Sequence, residues 1–249
     1  MFSCTIWVRE ICWGLGYMNF GGFTGGLYTV SEWIMRFFVV NILWVIFNIP
    51  FLFILFNMFF VGQIEGLFFL IILLAILAPI LLFPATSAVF ASVREWIMKK
   101  NEHGGLTKTF WIFYKENYKR SLLAGIIFTV MWVVWAFDVY FFSNINIIIT
   151  IIFLIMGVIL FVWTINFFSV TVHYHMKLFQ SLKNALLITL GSPLLFITVA
   201  LSSAAILYIG IFVFQALLLF FASSLIAFLS FAAFYRSYLK IVEKEEIEE

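Results

Sequence analysis

Three long blocks of this chain are almost free of charge. Residues 37–93 hold Glu65 alone, residues 121–176 hold Asp138 alone, and residues 184–235 hold no Asp, Glu, Lys or Arg. The blocks are 57, 56 and 52 residues long. A helix rises about 1.5 Å per residue and the hydrocarbon core of a bilayer is about 30 Å thick, so one crossing takes about 20 residues. Each block therefore predicts two crossings joined by a short turn. The chain reads as an all-α, polytopic transmembrane bundle of six crossings arranged as three hairpins. Its 249 residues are 65% apolar and 10% charged, against about 25% charge in a soluble domain. In water such a chain would expose apolar patches that monomers do not tolerate, and six crossings leave no room for a second, soluble domain.

The crossings are expected at about Trp33 to Phe56, Leu67 to Val93, Ser121 to Phe142, Ile147 to Val170, Leu186 to Leu207 and Ile211 to Phe234. The organisation is then an N-terminal segment 1–32, a six-helix domain 33–235 and a charged tail 236–249. Orientation follows from the loops. Cytoplasmic loops are enriched in Lys and Arg, and every second loop here is basic while the loops between carry neither residue. All fourteen Lys and Arg residues fall on one side if both termini are cytoplasmic.

Residues 1–32 fit this scheme least well. They contain Arg9, Glu10 and the glycines Gly21, Gly22, Gly25 and Gly26. The apolar stretch after Arg9 is too short and too glycine-rich for a cleaved secretory signal. Met18 is a candidate start, with residues 1–17 an upstream extension; mass spectrometry of the natural protein decides this. Cys4 and Cys12 lie on the expected cytoplasmic side, where disulfides are rare, and their spacing matches no zinc motif. They read as free thiols.

The longest polar segment, 94–120, carries Arg94, Lys99, Lys100, Lys108, Lys115, Lys119 and Arg120 against Glu95, Glu102 and Glu116. Phe110, Trp111, Phe113, Tyr114 and Tyr118 recur at spacings of three and four. This predicts an amphipathic helix lying in the headgroup layer and running into the third crossing. Arg94, Lys99, Lys100, Lys108, Trp111 and Lys115 are its candidate contacts to a partner or to lipid. The plainer alternative is a solvated loop whose charges only fix topology.

Polar residues inside crossings are the default functional candidates, because lipid cannot solvate them. Asp138 is either a proton or cation site or, more simply, a carboxylate near enough to the outer interface to reach water. Asn41 and Asn48, seven residues apart, are expected on one face of the first crossing. Asn166 and Gln215 sit in the fourth and sixth. Such amides usually hydrogen-bond between helices, and structural glue is the better reading. Pro50, Pro79, Pro84 and Pro193 each remove a backbone donor. Pro79 and Pro84 are followed by Thr86 and Ser87, whose hydroxyls can re-satisfy the loosened backbone. A kink beside a cavity and simple bundle shaping are both open there.

His173 and His175, two apart on a helix, point to different faces, so no shared metal is expected. No H-E-x-x-H, G-x-S-x-G or P-loop occurs. The expectation is a non-enzyme with no metal or cofactor and no nucleic-acid partner.

Several stretches together resemble the YesL-like family of bacterial membrane proteins, a domain of unknown function. They are Asn41-Ile-Leu-Trp44, Phe83-Pro84-Ala85-Thr86-Ser87-Ala88 leading into Arg94, Lys108-Thr109-Phe110 through Asn117-Tyr118-Lys119, and Ser181-Leu-Lys-Asn-Ala185. The likeness covers about residues 18–240. It implies a bacterial plasma-membrane location and an association with carbohydrate uptake, and it carries over no catalytic residue. Two functions follow as expectations. The first is transport, or assistance to transport, of a carbohydrate, with sugar-transporter components as partners. The second is a regulatory or scaffold protein whose basic cytoplasmic face binds a soluble protein or anionic lipid.

Overall fold

The protein was analysed as a computed structural model that describes residues 23–58, 60–61, 64–98, 105–143, 145–174 and 176–248. The readings placed on residues 1–22 (Cys4, Cys12 and Met18 included) and on Lys99, Lys100, Asn144 and His175 lie outside these. Every regular element among the described residues is helical. In chain order they are α1 (Phe23–Phe47), α2 (Ile49–Asn57), α3 (Ile64–Leu77), a π-helical turn π1 (Ala78–Leu82) and α4 (Phe83–Ile97). Then come α5 (Leu106–Ser143), α6 (Ile147–His173), α7 (Leu178–Gly191), α8 (Pro193–Tyr208), a second π turn π2 (Ile209–Val213), α9 (Ala216–Phe220) and α10 (Ala222–Glu248).

Five helical stretches among the described residues are long and apolar enough to cross a membrane: Gly26–Phe47, Glu65–Ile97, Leu106–Ser143, Ile147–His173 and Pro193–Val213. Two expected crossings are displaced. The first stops at Asn48, whose φ of −102° and ψ of 10° leave the helical region. Pro50, lacking an N–H, then sits in the first turn of the separate α2, where that loss is tolerated. The fifth is split at Ser192, and Pro193 starts α8 as its first residue. The apolar helix therefore runs to Val213, through the turn expected near Tyr208 to Gly210. The expected sixth crossing is interrupted: Phe214 and Phe221 are extended in φ (−141° and −143°), and α10 starts only at Ala222.

The amphipathic segment is helical and runs into the third crossing, as expected, but as part of one helix rather than as a helix of its own. Residues 94–97 close α4, and residues 106–120 are the first turns of an unbroken 38-residue helix, α5. At about 1.5 Å per residue that helix is about 57 Å long, well beyond the hydrocarbon thickness. Its aromatic half is coaxial with the apolar half, and Phe110 and Phe113 are buried in the bundle.

α4 is the central helix. Twelve of its fifteen residues are buried, most of them Ala, Ser, Val or Phe. Small side chains let neighbouring backbones come close where no hydrophobic force separates protein from lipid. α5, α10, α6 and α1 pack around it. Phe83 meets Phe128 and Phe168 at ring-centroid distances of 6.0 and 5.5 Å, and Phe128 meets Trp163 at 5.3 Å. α5 comes close to π1 at Gly125, where a Cβ would lie 2.8 Å from the Pro79 Cα. Only glycine fits opposite π1.

Candidate functional site

The buried amides act as stitches. Asn41 is wholly buried on α1. Its Nδ2 donates to the Leu219 carbonyl at 2.7 Å, and its Oδ1 accepts from the Ser223 and Ser224 backbone N–H groups at 2.9 and 3.2 Å. Leu219 and Ser223 stand four apart, the spacing of one helical hydrogen bond. The Asn41 amide thus takes the place of that bond and holds the break between α9 and α10 open. Asn166 Nδ2 donates to Thr189 Oγ1 at 2.9 Å and ties α6 to α7. Asn48 is not level with Asn41 on a continuous helix; it sits at the α1–α2 break and donates back to the Trp44 carbonyl at 2.8 Å.

Beside π1 the chain forms a half-open cavity of about 1220 Å³. That is somewhat more than the usual range of about 300–1,000 Å³ for ligand pockets. Its wall draws on every element from α1 to α6, on Leu207 of α8, and on Gln215, α9 and α10. Among the described residues no Asp, Glu, Lys, Arg or His lines it. Hydroxyls do: Thr86, Thr129, Thr164, Ser223 and, on α5, Tyr140. Two of them are spent locally, whereas Thr129 Oγ1 and Ser223 Oγ are buried without a hydrogen-bond partner among the described residues. Thr86 Oγ1 donates to the Leu82 carbonyl at 2.7 Å and accepts from Trp44 Nε1 at 3.0 Å. Thr164 Oγ1 donates to the Leu160 carbonyl at 2.7 Å. Thr86 thus bonds both a carbonyl that lies between the two prolines and the indole of α1. Ser87, expected with it to re-satisfy the loosened backbone, is buried and makes no such bond among the described residues. Pro84 is buried in the first turn of α4. Thr86→Val is expected to cost about 1–3 kcal/mol, because it leaves the Trp44 indole N–H without its acceptor, read as a lowered midpoint of thermal unfolding in detergent. Asp138 is half-buried near the end of α5, between the lining residues Phe137 and Tyr140, and is not itself in the wall.

The basic end is built differently from what charge counting implies. Arg94, half-buried on α4, donates to the Val172 carbonyl. Arg120 of α5 donates to the Thr171 and Tyr174 carbonyls at 3.3 and 3.2 Å and to Ser181 Oγ. Thr171 and Val172 belong to the last turn of α6, whose carbonyls lack intrahelical partners. Two guanidinium groups therefore cap the negative end of α6. Arg94, expected to face a partner or lipid, is turned to this work. Lys108, Lys115, Lys119 and Trp111 are exposed on α5, and Lys115 Nζ lies 4.7 Å from the Trp111 ring centre, a cation–π contact. Trp111 and Tyr114 are parallel, and both pack on Phe47 of α1 at 5.5 and 4.6 Å.

At the same end His173 sits in an aromatic box, 4.7 Å from both Tyr174 and Tyr238 and 5.6 Å from Phe234. Burial, then the neighbouring Tyr238, holds the Tyr174 phenol above its ordinary range, so it remains a neutral hydroxyl at physiological pH. Among the described residues no three His, Cys, Asp or Glu side chains gather as a metal site would need. Sequence reasoning missed the Arg120 cap, the His173 box, and the hydroxyls of Thr129 and Thr164 in the cavity wall. The choice of Arg over Lys at 94 and 120 was the readable sign, since a planar guanidinium suits several carbonyls at once.

The family described as "Protein of unknown function, DUF624" matches residues 37–139, from α1 to near the end of α5. "Uncharacterized protein YteU" of Bacillus subtilis (strain 168) is 31% identical over 121 residues, 49% of this chain and 43% of YteU. The chain thus spans less than half of that relative. "Uncharacterized protein YesL" of the same organism is 28% identical over 233 residues, 89% of this chain and 95% of YesL. No solved structure matches.

Proposed function

Because this chain is YesL-like, one of an uncharacterised family, we propose that it is a multi-pass protein of the bacterial plasma membrane that assists carbohydrate uptake without conducting the sugar and without catalysing a reaction. In this reading it makes six crossings with both termini cytoplasmic. The positive-inside distribution of its fourteen Lys and Arg residues supports the orientation. The absence of charge from residues 184–235, together with the packing of α10 against α4, α8, α6 and α1, supports a sixth crossing. The link to carbohydrate rests on the family resemblance.

The observation that carries the accessory role is the chemistry of the cavity. A sugar displays a hydroxyl on nearly every carbon, and each must be paired when it leaves water. Among the described residues this wall offers no charged group, and with the Thr86 and Thr164 hydroxyls serving the backbone only Thr129, Ser223, Tyr140 and Gln215 are left as polar groups, too few for the many hydroxyls of a sugar. A strain lacking the protein is expected to take up labelled oligosaccharide more slowly, while vesicles containing the purified protein alone pass no more sugar than empty ones. Sugar flux through those vesicles would make it a conduit.

A second reading, a regulatory or scaffold protein, is favoured by the exposed Lys108, Trp111, Lys115 and Lys119. Normal uptake with altered gene expression in the deletion strain would select it. Under it, reversing the charges of Lys99, Lys100 and Lys108 is expected to abolish pull-down of a soluble partner.

A further inference from the structure

We infer that the cavity beside π1 is a binding site for a lipophilic quinone, seated ring-first with its carbonyl oxygens on the hydroxyls of Thr129 and Ser223. The inference goes beyond the accessory role and does not depend on it.

The hydroxyls of the wall converge from four helices. Thr86 stands on α4, Thr129 on α5, Thr164 on α6 and Ser223 on α10. Contacts between the helices put them near one level. Phe83 meets Phe128 and Phe168. Thr86, Thr129 and Thr164 are three, one and four residues from these rings, so each lies within about 6 Å of that contact along its own helix. The Ser223 N–H reaches Asn41, one turn from Trp44, and the Trp44 indole reaches Thr86. Thr86 and Thr164 donate to carbonyls one turn back, as Ser and Thr in helices commonly do. Thr129 Oγ1 and Ser223 Oγ do not. Both are buried, and neither has a hydrogen-bond partner among the described residues. Their protons are unspent, and rotation about χ1 to another staggered well turns either hydroxyl towards the space its residue lines. A buried donor without a partner is costly, and an acceptor oxygen inside the cavity removes that cost.

The depth of these hydroxyls and the rest of the wall select the ligand. Thr129 is nine residues past Arg120, the last cation before the apolar part of α5. That is about 14 Å, close to the midplane of a hydrocarbon core of about 30 Å. An unpaired charge is not stable at that depth, and among the described residues no charged side chain lines the cavity. The acceptor therefore belongs to an uncharged molecule that dissolves in hydrocarbon. Much of the wall is aromatic: Trp44, Phe83, Phe90, Trp132, Phe161 and Phe168. These rings offer faces and edges to another flat ring. The cavity is half-open, so an alkyl tail can continue along its apolar wall and out into lipid. A quinone unites these properties: a flat ring, two carbonyl acceptors, no charge and a hydrocarbon tail. Among the described residues the wall has no carboxylate or imidazole to exchange protons with the ring, so the inference is of binding and not of reduction.

The test is native mass spectrometry of the full chain in mild detergent. The protein is titrated with a short-tailed menaquinone, with the naphthalene that carries the same tail but no carbonyl oxygen, and with phosphatidylglycerol. The quinone is expected to bind at least about tenfold more tightly than the naphthalene, the gain of two hydrogen bonds made away from water. The double variant Thr129→Val, Ser223→Ala removes only hydroxyls without partners. It is expected to bring the quinone down to the level of the naphthalene and to leave the naphthalene as in the wild type, whereas damage to the fold lowers both. Ala136→Trp, which fills the cavity from α5, is expected to weaken both. Phosphatidylglycerol is expected not to displace the quinone. Equal binding of quinone and naphthalene by the wild type would overturn the inference. So would a hydroxyl-free variant that keeps the preference, a folded Ala136→Trp protein that binds both like the wild type, or displacement by phosphatidylglycerol. The wild-type comparison tests the inference even if a variant does not fold. None of these outcomes depends on sugar uptake, so failure here is distinct from failure of the accessory role.

Discussion

Asn41→Leu is expected to destabilise the bundle by about 3–5 kcal/mol, more than any other single polar substitution inside it. One side chain supplies three hydrogen bonds to backbone groups at the α9–α10 break. Leucine leaves the Leu219 carbonyl and the Ser223 and Ser224 N–H groups without that partner, and each buried orphan costs about 1–3 kcal/mol. Interhelical bonds in membranes average well under 2 kcal/mol, because loosened helices find other partners. Here the escape is specific. Ser223 N–H can turn to the Leu219 carbonyl if α9 and α10 straighten into one helix, and that movement displaces Phe220 and Phe221 from Phe38. The variant is thus expected to lower the unfolding midpoint in detergent and to change hydrogen exchange over residues 217–225. Asn41→Gln, which keeps the amide on a longer arm, should fall between. An Asn41→Leu protein with wild-type stability and exchange would show that the amide does not hold the break.

Gly125→Leu is expected to be as damaging, for a steric reason. Even the first added carbon would stand 2.8 Å from the Pro79 Cα and 3.0 Å from the Phe83 ring. The nearest obstacle is backbone, which cannot rotate away as a side chain can. Overpacking costs typically about 1–3 kcal/mol; alanine is expected within that range and leucine beyond it, with α5 pushed off π1. Gly157→Ala is a useful contrast. There the new carbon meets the Trp135 indole, 2.5 Å away, and the ring can move if it surrenders its hydrogen bond to the Phe153 carbonyl. The smaller loss belongs to Gly157→Ala. Equal losses at 125 and 157, measured by thermal unfolding, would refute the close packing of α5 on π1.

Membrane-type helices were legible because charge was absent over lengths that only a bilayer or a very large core allows. The same blankness hid the helix ends. Hydropathy does not change across Asn48 or Ser192, so the breaks there could be read only from proline, and proline also occurs in helices it merely bends. Pro50 and Pro193 start new helices, whereas Pro79 sits within a π turn and Pro84 just after it, inside a continuous stretch. The reading of Asn41 as glue named the role without the partner, since Ser223 is 182 residues away in sequence. The basic segment was legible as charge but not as direction. Lys108 and Lys115 face outward, while Arg94 and Arg120 turn inward to carbonyls at the far end of α6, 78 and 51 residues on. The cavity was foreshadowed only by the paired prolines. Its wall comes from so many elements that no local pattern in the sequence records it.

The most direct measurement is thiol labelling of intact cells, with Cys4 and Cys12 first changed to serine. Ile145→Cys, in the turn between α5 and α6, should react with a membrane-impermeant maleimide from outside. Lys108→Cys, at the other end of α5, should react only after the membrane is opened. Labelling of Lys108→Cys from outside, or recovery of the unlabelled protein in the soluble fraction, would contradict the account.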